Sequence, residues 1–166
     1  MKQLLLEKIA KKEIKVGVIG LGYVGLPLAV EKAKAGFRTI GFDEQAIKVE
    51  MVNKGHNYIG DVVDKDLKRL VEEGFLSATS DFSFIQDVDF IAICVPTPLD
   101  IHQEPDLSCV RDSTAEIAKH LKKHTIVVLE STTYPGTTQE LVCPILEKAP
   151  GLPVERTFIW AFHRSA

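Results

Sequence analysis

The chain has 166 residues, 45% of them hydrophobic and 26% charged, with a formal net charge of −3. That length suits one domain burying roughly 70% of its unfolded surface, and the slightly negative balance excludes a protein that binds polyanions through bulk basicity, so neither nucleic acid nor a membrane surface is an expected partner. Cys94, Cys109 and Cys143 lie too far apart for a metal-ligand motif, which points to three reduced thiols in a cytoplasmic protein and to no metal site.

Residues 1–13 carry Leu4, Leu5, Leu6 and Ile9, interrupted by Glu7, Lys8, Lys11 and Lys12. The pattern predicts a short amphipathic helical extension, with neither a signal-peptide core nor a membrane span. The apolar run at 14–19 predicts a first strand, which breaks on Gly20-Leu21-Gly22-Tyr23-Val24-Gly25. Strand, glycine turn and helix in that order form a dinucleotide-binding fingerprint. The first glycine makes the tight turn, the second lets backbone approach a pyrophosphate, and the third lets the helix pack on the strand. Amide N–H groups and roughly half a positive charge at the helix N-terminus then attract the phosphates.

The helix predicted over 26–35 has Pro27 in its first turn, where a missing N–H costs nothing, and Gly36 just past its end. Ala29 and Ala33, four apart, provide a small face for close approach to a sheet. A second strand at 39–42 delivers Asp43 at its C-terminal tip, 18 positions after Gly25. A carboxylate there binds the adenine ribose and repels a 2′-phosphate, which favours NAD over NADP.

Farther along, residues 64–73 predict a helix capped by Asp64 and closed by Gly74, followed by a weaker strand at 76–79. The runs at 90–95 and 125–129 lack polar alternation, as expected of central strands covered on both faces, and Cys94 within the first of them reads as core. Between them a helix at 107–120 offers Val110, Ile117 and Leu121 to the core. A helix at 138–148 contains Pro144, which should kink it or shift its start, and 156–162 read as a last strand. The alternation gives an α/β fold: a Rossmann-type, doubly wound, mostly parallel sheet of roughly six strands in a single domain over 14–162.

Ligands in such sheets lie beyond the C-terminal ends of the strands, so the loops after Val95 and Leu129 face the same crevice as the glycine turn. In Val95-Pro96-Thr97-Pro98 the prolines extend Thr97, either as a plain exit from a strand or to aim its hydroxyl. In 130–138, five Ser and Thr hydroxyls precede a helix, either to cap it or to contact nicotinamide and substrate.

Together the Gly-Leu-Gly-Tyr-Val-Gly-Leu-Pro turn, Gly41-Phe42-Asp43, Val95-Pro96-Thr97-Pro98 and Glu130-Ser131-Thr132-Thr133-Tyr134-Pro135-Gly136-Thr137-Thr138 resemble the UDP-glucose/GDP-mannose dehydrogenase family. Pro105-Asp106-Leu107-Ser108 matches its bacterial UDP-N-acetylglucosamine and UDP-N-acetylmannosamine branch, and the likeness runs from about 14 to 162. The resemblance implies an oxidoreductase that takes the C6 alcohol of a nucleotide sugar to a carboxylate through two hydride transfers to NAD, with a cysteine on a later domain as nucleophile. It implies that Gly20, Gly22, Tyr23, Val24 and Gly25 cradle the pyrophosphate, and that Asp43 and Lys48 hold the adenosine end. For Lys48 a plain solvated helix residue is the competing reading. By the same likeness Val95, Pro96, Thr97 and Thr132 contact NAD, and Thr132 also positions the catalytic water.

Family members continue past the sixth strand with Ser-Pro-Glu-Arg and a second, sugar-nucleotide domain, whereas this chain reads His163-Arg164-Ser165-Ala166. Those four residues can be written CAC-CGG-AGC-GCN, and one added T ahead of them reads Ser-Pro-Glu-Arg. The expectation is therefore a dehydrogenase cut short by a frameshift, with 163–166 an aberrant tail, the nucleotide-sugar site mostly elsewhere and no turnover alone; a short protein with an unrelated tail is the competing reading. Association into a homo-oligomer is left open by the sequence. A non-catalytic NAD-binding module is a second reading. Another Rossmann dehydrogenase is a third, although it leaves Thr97 between prolines and the 130–138 loop unexplained.

Overall fold

Each apolar run becomes a strand in the computed structural model, which describes residues 2–99, 105–148 and 159–162. The strands are β1 (Lys15–Ile19), β2 (Arg38–Phe42), β3 (Leu76–Thr79), β4 (Phe90–Ile93), β5 (Ile126–Leu129) and β6 (Ile159–Phe162). All neighbours pair in parallel, in the spatial order β3-β2-β1-β4-β5-β6. The chain thus walks outward from β1 to β3, returns to the middle and walks outward again on the other side. Connections leave β1 and β4 in opposite directions, which opens a crevice beyond their C-terminal ends.

The helices are α1 (Lys2–Ala10), α2 (Gly25–Lys34), α3 (Ala46–Asn53), α4 (Asp64–Glu72), α5 (Ser108–His120) and α6 (Cys143–Leu146). Side chains alternate along a strand, so this sheet has two apolar faces and needs helices on both. Val16, Val18 and Ala92 form one core with Leu26, Ala29 and Ala33 of α2 and Leu67 and Leu70 of α4. Ile91, Ile93, Val127 and Leu129 form the other with Val110 and Ile117 of α5 and Leu146 of α6.

Some boundaries move for identifiable reasons. The strand expected over 90–95 ends at Ile93, since Pro96 and Pro98 have no N–H with which to extend a ladder. Asp64 is the first helical residue rather than the cap: Val63 occupies the cap position, and no side chain bonds the first turn. Asp64 and Asp66 act through their charge beside the positive helix end instead. Ahead of Pro144 the chain forms a π-helical turn, Thr138–Val142, in which the Cys143 N–H donates to the Thr138 carbonyl. The α-helix proper begins at Cys143, with Pro144 in its first turn, where its missing N–H is harmless. Residues 156–158 of the last expected strand and the tail 163–166 lie outside the described residues.

Two elements carry no clear sequence signal. In α3, Ile47 is exposed while Val52 is fully buried, so the apolar residues make no single stripe. A 3₁₀ turn at Phe82–Asp87 is started by Asp81, whose carboxylate accepts from the Ser83 N–H.

Ile91 is fully buried on a strand flanked on both sides. Ile91→Ala is expected to cost about 3 kcal/mol, read as a lowered urea midpoint with an unchanged slope. A loss under about 1 kcal/mol would contradict a covered, central β4.

Candidate functional site

The glycine turn works by excluding side chains. Gly20 has φ +88°, and its N–H donates to the Phe42 carbonyl at 2.8 Å. A Cβ on Gly20 would stand 2.9 Å from the Cys94 carbonyl oxygen, and one on Gly25 only 1.7 Å from that of Gly20. Helix α2 can therefore begin directly against the end of β1. Gly22 is the opposite case, with no atom within 4 Å of where its Cβ would be. The open space lies in front of a helix start that has no side-chain cap and no acidic residue in its first turn. The Leu26 N–H is taken by the Gly22 carbonyl and Pro27 has no N–H, but no acidic residue compensates the positive end of α2, so the open space in front of it fits a pyrophosphate.

Asp43 stands beside that turn because Phe42 pairs with Ile19 in the β1–β2 register. Its Oδ2 accepts the Leu21 N–H at 2.8 Å, and its Oδ1 accepts the Gln45 N–H at 2.9 Å. Lys48 Nζ is 3.3 Å from Oδ2, so the lysine is ion-paired and turned into the site rather than freely solvated. A carboxylate offers about four acceptor positions, which leaves room for a ribose hydroxyl.

Hydroxyls tie the loops after β4 and β5 together. Thr97 Oγ1 donates to the Thr132 carbonyl at 2.7 Å, and Ser131 Oγ donates to the Val95 carbonyl at 2.7 Å. Thr137 Oγ1 donates to the Tyr134 carbonyl, and no side chain caps the π-helical turn that follows. Thr97, Ser131 and Thr137 thus brace the loops rather than cap the helix, whereas the buried Thr133 and Thr138 hydroxyls have no protein partner among the described residues. Thr132 itself is exposed.

A cleft of about 540 Å³ gathers Gly20, Gly22, Tyr23, Val24, Asp43 and Lys48 on one side and Val95, Pro96, Thr97 and Thr132 on the other. Of the sequence-derived candidates only Gly25 is absent from its lining, because it lies behind the turn against Gly20. A second pocket of about 230 Å³ shares Gly20, Asp43, Lys48, Val95 and Pro96 and adds Phe82, Cys109, Asp112 and Ser113. The two meet at the Asp43–Lys48 pair, an arrangement suited to a ligand with two bulky ends. Tyr58, Ile59, Glu130 and Ser131 also line the larger cleft. No spacing rule points to Tyr58, which arrives from the loop between α3 and α4.

Burial, helped by the Glu130 carboxylate, pushes the Cys94 thiol up to about 12. Burial and then Glu147 push Cys143 up to about 11. Neither is poised as a nucleophile. Among the described residues no helix is long and apolar enough to cross a membrane.

Residues 14–159 match the profile of the UDP-glucose/GDP-mannose dehydrogenase family, NAD binding domain. The chain is 42% identical over 148 residues to UDP-N-acetyl-D-glucosamine 6-dehydrogenase of Pseudomonas aeruginosa, covering 89% of this chain and 34% of that one. It is 39% identical over 138 residues to UDP-N-acetyl-D-mannosamine dehydrogenase of Yersinia pestis, covering 82% and 32%. Among solved structures, NDP-N-acetyl-D-galactosaminuronic acid dehydrogenase from Methanosarcina mazei superposes with a TM-score of 0.83 at 34% identity, over 97% of this chain and 37% of that one. GDP-mannose dehydrogenase from Pseudomonas aeruginosa, in a ternary complex, gives a TM-score of 0.81 at 29% identity, over 89% and 35%. The chain spans about a third of the length of the curated relatives it matches.

The thiols should separate by accessibility. Cys109 is partly exposed on the smaller pocket, whereas Cys94 and Cys143 are buried. At pH 8 iodoacetamide is expected to alkylate Cys109 first and the other two only on unfolding, as read by peptide mass spectrometry. Early modification of Cys94 would contradict its position beneath the glycine turn.

Proposed function

The chain belongs to the UDP-glucose/GDP-mannose dehydrogenase family as its NAD-binding domain, and from that premise we propose that it holds NAD across the two pockets and presents it to a nucleotide sugar bound by the rest of a longer dehydrogenase. The turn residues Gly20, Gly22, Tyr23, Val24 and Gly25 receive the pyrophosphate, while Asp43, with Lys48 beside it, takes the adenine ribose. Adenine enters the smaller pocket, and Val95, Pro96, Thr97 and Thr132 border the nicotinamide. The open space at Gly22, in front of the uncapped start of α2 and next to the Asp43 carboxylate, carries this reading.

NAD, when bound, accepts hydride from the C6 carbon of the sugar; two such oxidations, with oxygen supplied by water, turn the alcohol into a carboxylate. This chain's residues supply position. The paired loops hold the exposed Thr132 at the cleft, where its hydroxyl orients the water, and Asp43 disfavours a dinucleotide with a 2′-phosphate. The similarity to UDP-N-acetyl-D-glucosamine and UDP-N-acetyl-D-mannosamine dehydrogenases favours a UDP-N-acetylhexosamine as the substrate class. Reduced thiols and a pool of NAD and nucleotide sugars favour the cytoplasm.

Calorimetry on the 166-residue chain is expected to give NAD a Kd in roughly the micromolar range and NADP one at least about tenfold weaker. Gly22→Val, which puts a side chain into the pyrophosphate space, should weaken NAD by roughly a hundredfold while the chain stays folded. A folded wild-type chain that gives no heat with NAD would overturn the reading. The same chain is expected to form no NADH from UDP-N-acetylglucosamine; measurable turnover would refute the placement of sugar recognition elsewhere.

A further inference from the structure

We infer that Tyr58 is a positioning residue for the cofactor: its hydroxyl, bonded to the Leu21 carbonyl, sets the path of the glycine turn that receives the pyrophosphate. The inference rests on the NAD reading of the cleft and adds to it a residue that the fingerprint does not contain.

Leu21 lies between the first two glycines of the turn and is held from three directions. Its N–H donates to Asp43 Oδ2 at 2.8 Å, and its carbonyl accepts from Tyr58 Oη at 2.7 Å. Its side chain is fully buried beneath Gly41, where an added Cβ would lie 2.6 Å from Leu21 Cδ2. Peptide units are planar, so fixing the Leu21 carbonyl fixes the plane that contains the Gly22 N–H. Glycine has the widest backbone freedom of any residue, and Gly22 has empty space where a side chain would be. The restraint therefore falls on the segment least able to hold its own shape.

Tyr58 is braced well enough for this task. Asn57 Nδ2 donates to the Ile59 and Val62 carbonyls, each at 2.7 Å, and its Oδ1 accepts the Ile59 N–H at 2.9 Å. Ile59 and Val62 are themselves buried in the core on the α2 side of the sheet. The loop is locked internally and anchored, and it carries a partly buried phenol to the edge of the cleft. Burial, with the Asp43 carboxylate nearby, pushes that phenol well above its ordinary value, so it stays a neutral donor throughout the working pH range.

The test is Tyr58→Phe in the full chain, which deletes one oxygen and keeps the ring. NAD is expected to bind about three- to tenfold more weakly, and adenosine, which lacks the pyrophosphate, within about twofold of wild type. A para-aminophenylalanine at position 58, which restores an N–H donor at the same place, should recover the NAD affinity. Unchanged NAD affinity, an equal loss for NAD and adenosine, absence of rescue, or a Tyr58→Phe chain that does not fold without ligand would each overturn the inference. A wild-type chain that fails to bind NAD removes both readings, whereas equal NAD binding by wild type and Tyr58→Phe removes this one alone.

Discussion

Helix α2 starts with no side chain between itself and the end of β1, and the whole cleft follows from that contact. A single carbon on Gly25 would stand 1.7 Å from the Gly20 carbonyl oxygen, so any larger residue would push the helix away from the sheet. With the contact intact, Ala29 and Ala33 pack tightly below it and the positive helix end faces the crevice between β1 and β4. The β1–β2 register then sets the tip of β2 beside the turn, which brings the Asp43 carboxylate within hydrogen-bond reach of Leu21.

The polar groups of the cleft serve two purposes. Asp43 accepts from Leu21, Gln45 and Lys48, so the residue expected to bind a ribose also braces the turn. Thr97 and Ser131 bond carbonyls on the opposite loop, holding the strand exits of β4 and β5 at a fixed spacing. These mutual bonds keep the cleft shaped. Preorganisation of this kind lets a flexible dinucleotide bind without first ordering the protein.

Helix α3 and the Asn57–Val62 loop mark where local reading fails. The outward Ile47 breaks the amphipathic stripe of α3, and the loop is held by asparagine bonds rather than by glycine or proline. The opposite holds for Pro144, whose covalent ring forbids an N–H donor anywhere. The disturbance it signals is real, although it takes the form of a π-helical turn rather than a kink.

The amino-acid sequence by itself determined the strand–turn–helix fingerprint, the six strands and the acid at the tip of the second. Those features are written in contiguous residues, through glycine spacing and runs of apolar side chains. Only the tertiary structure decided that Lys48 turns inward, that Thr97 grips the Thr132 carbonyl and that Tyr58 reaches Leu21. The latter two bonds join residues 35 and 37 positions apart, and no periodicity along the chain encodes such a meeting until parallel strands bring the loops to one end of the sheet.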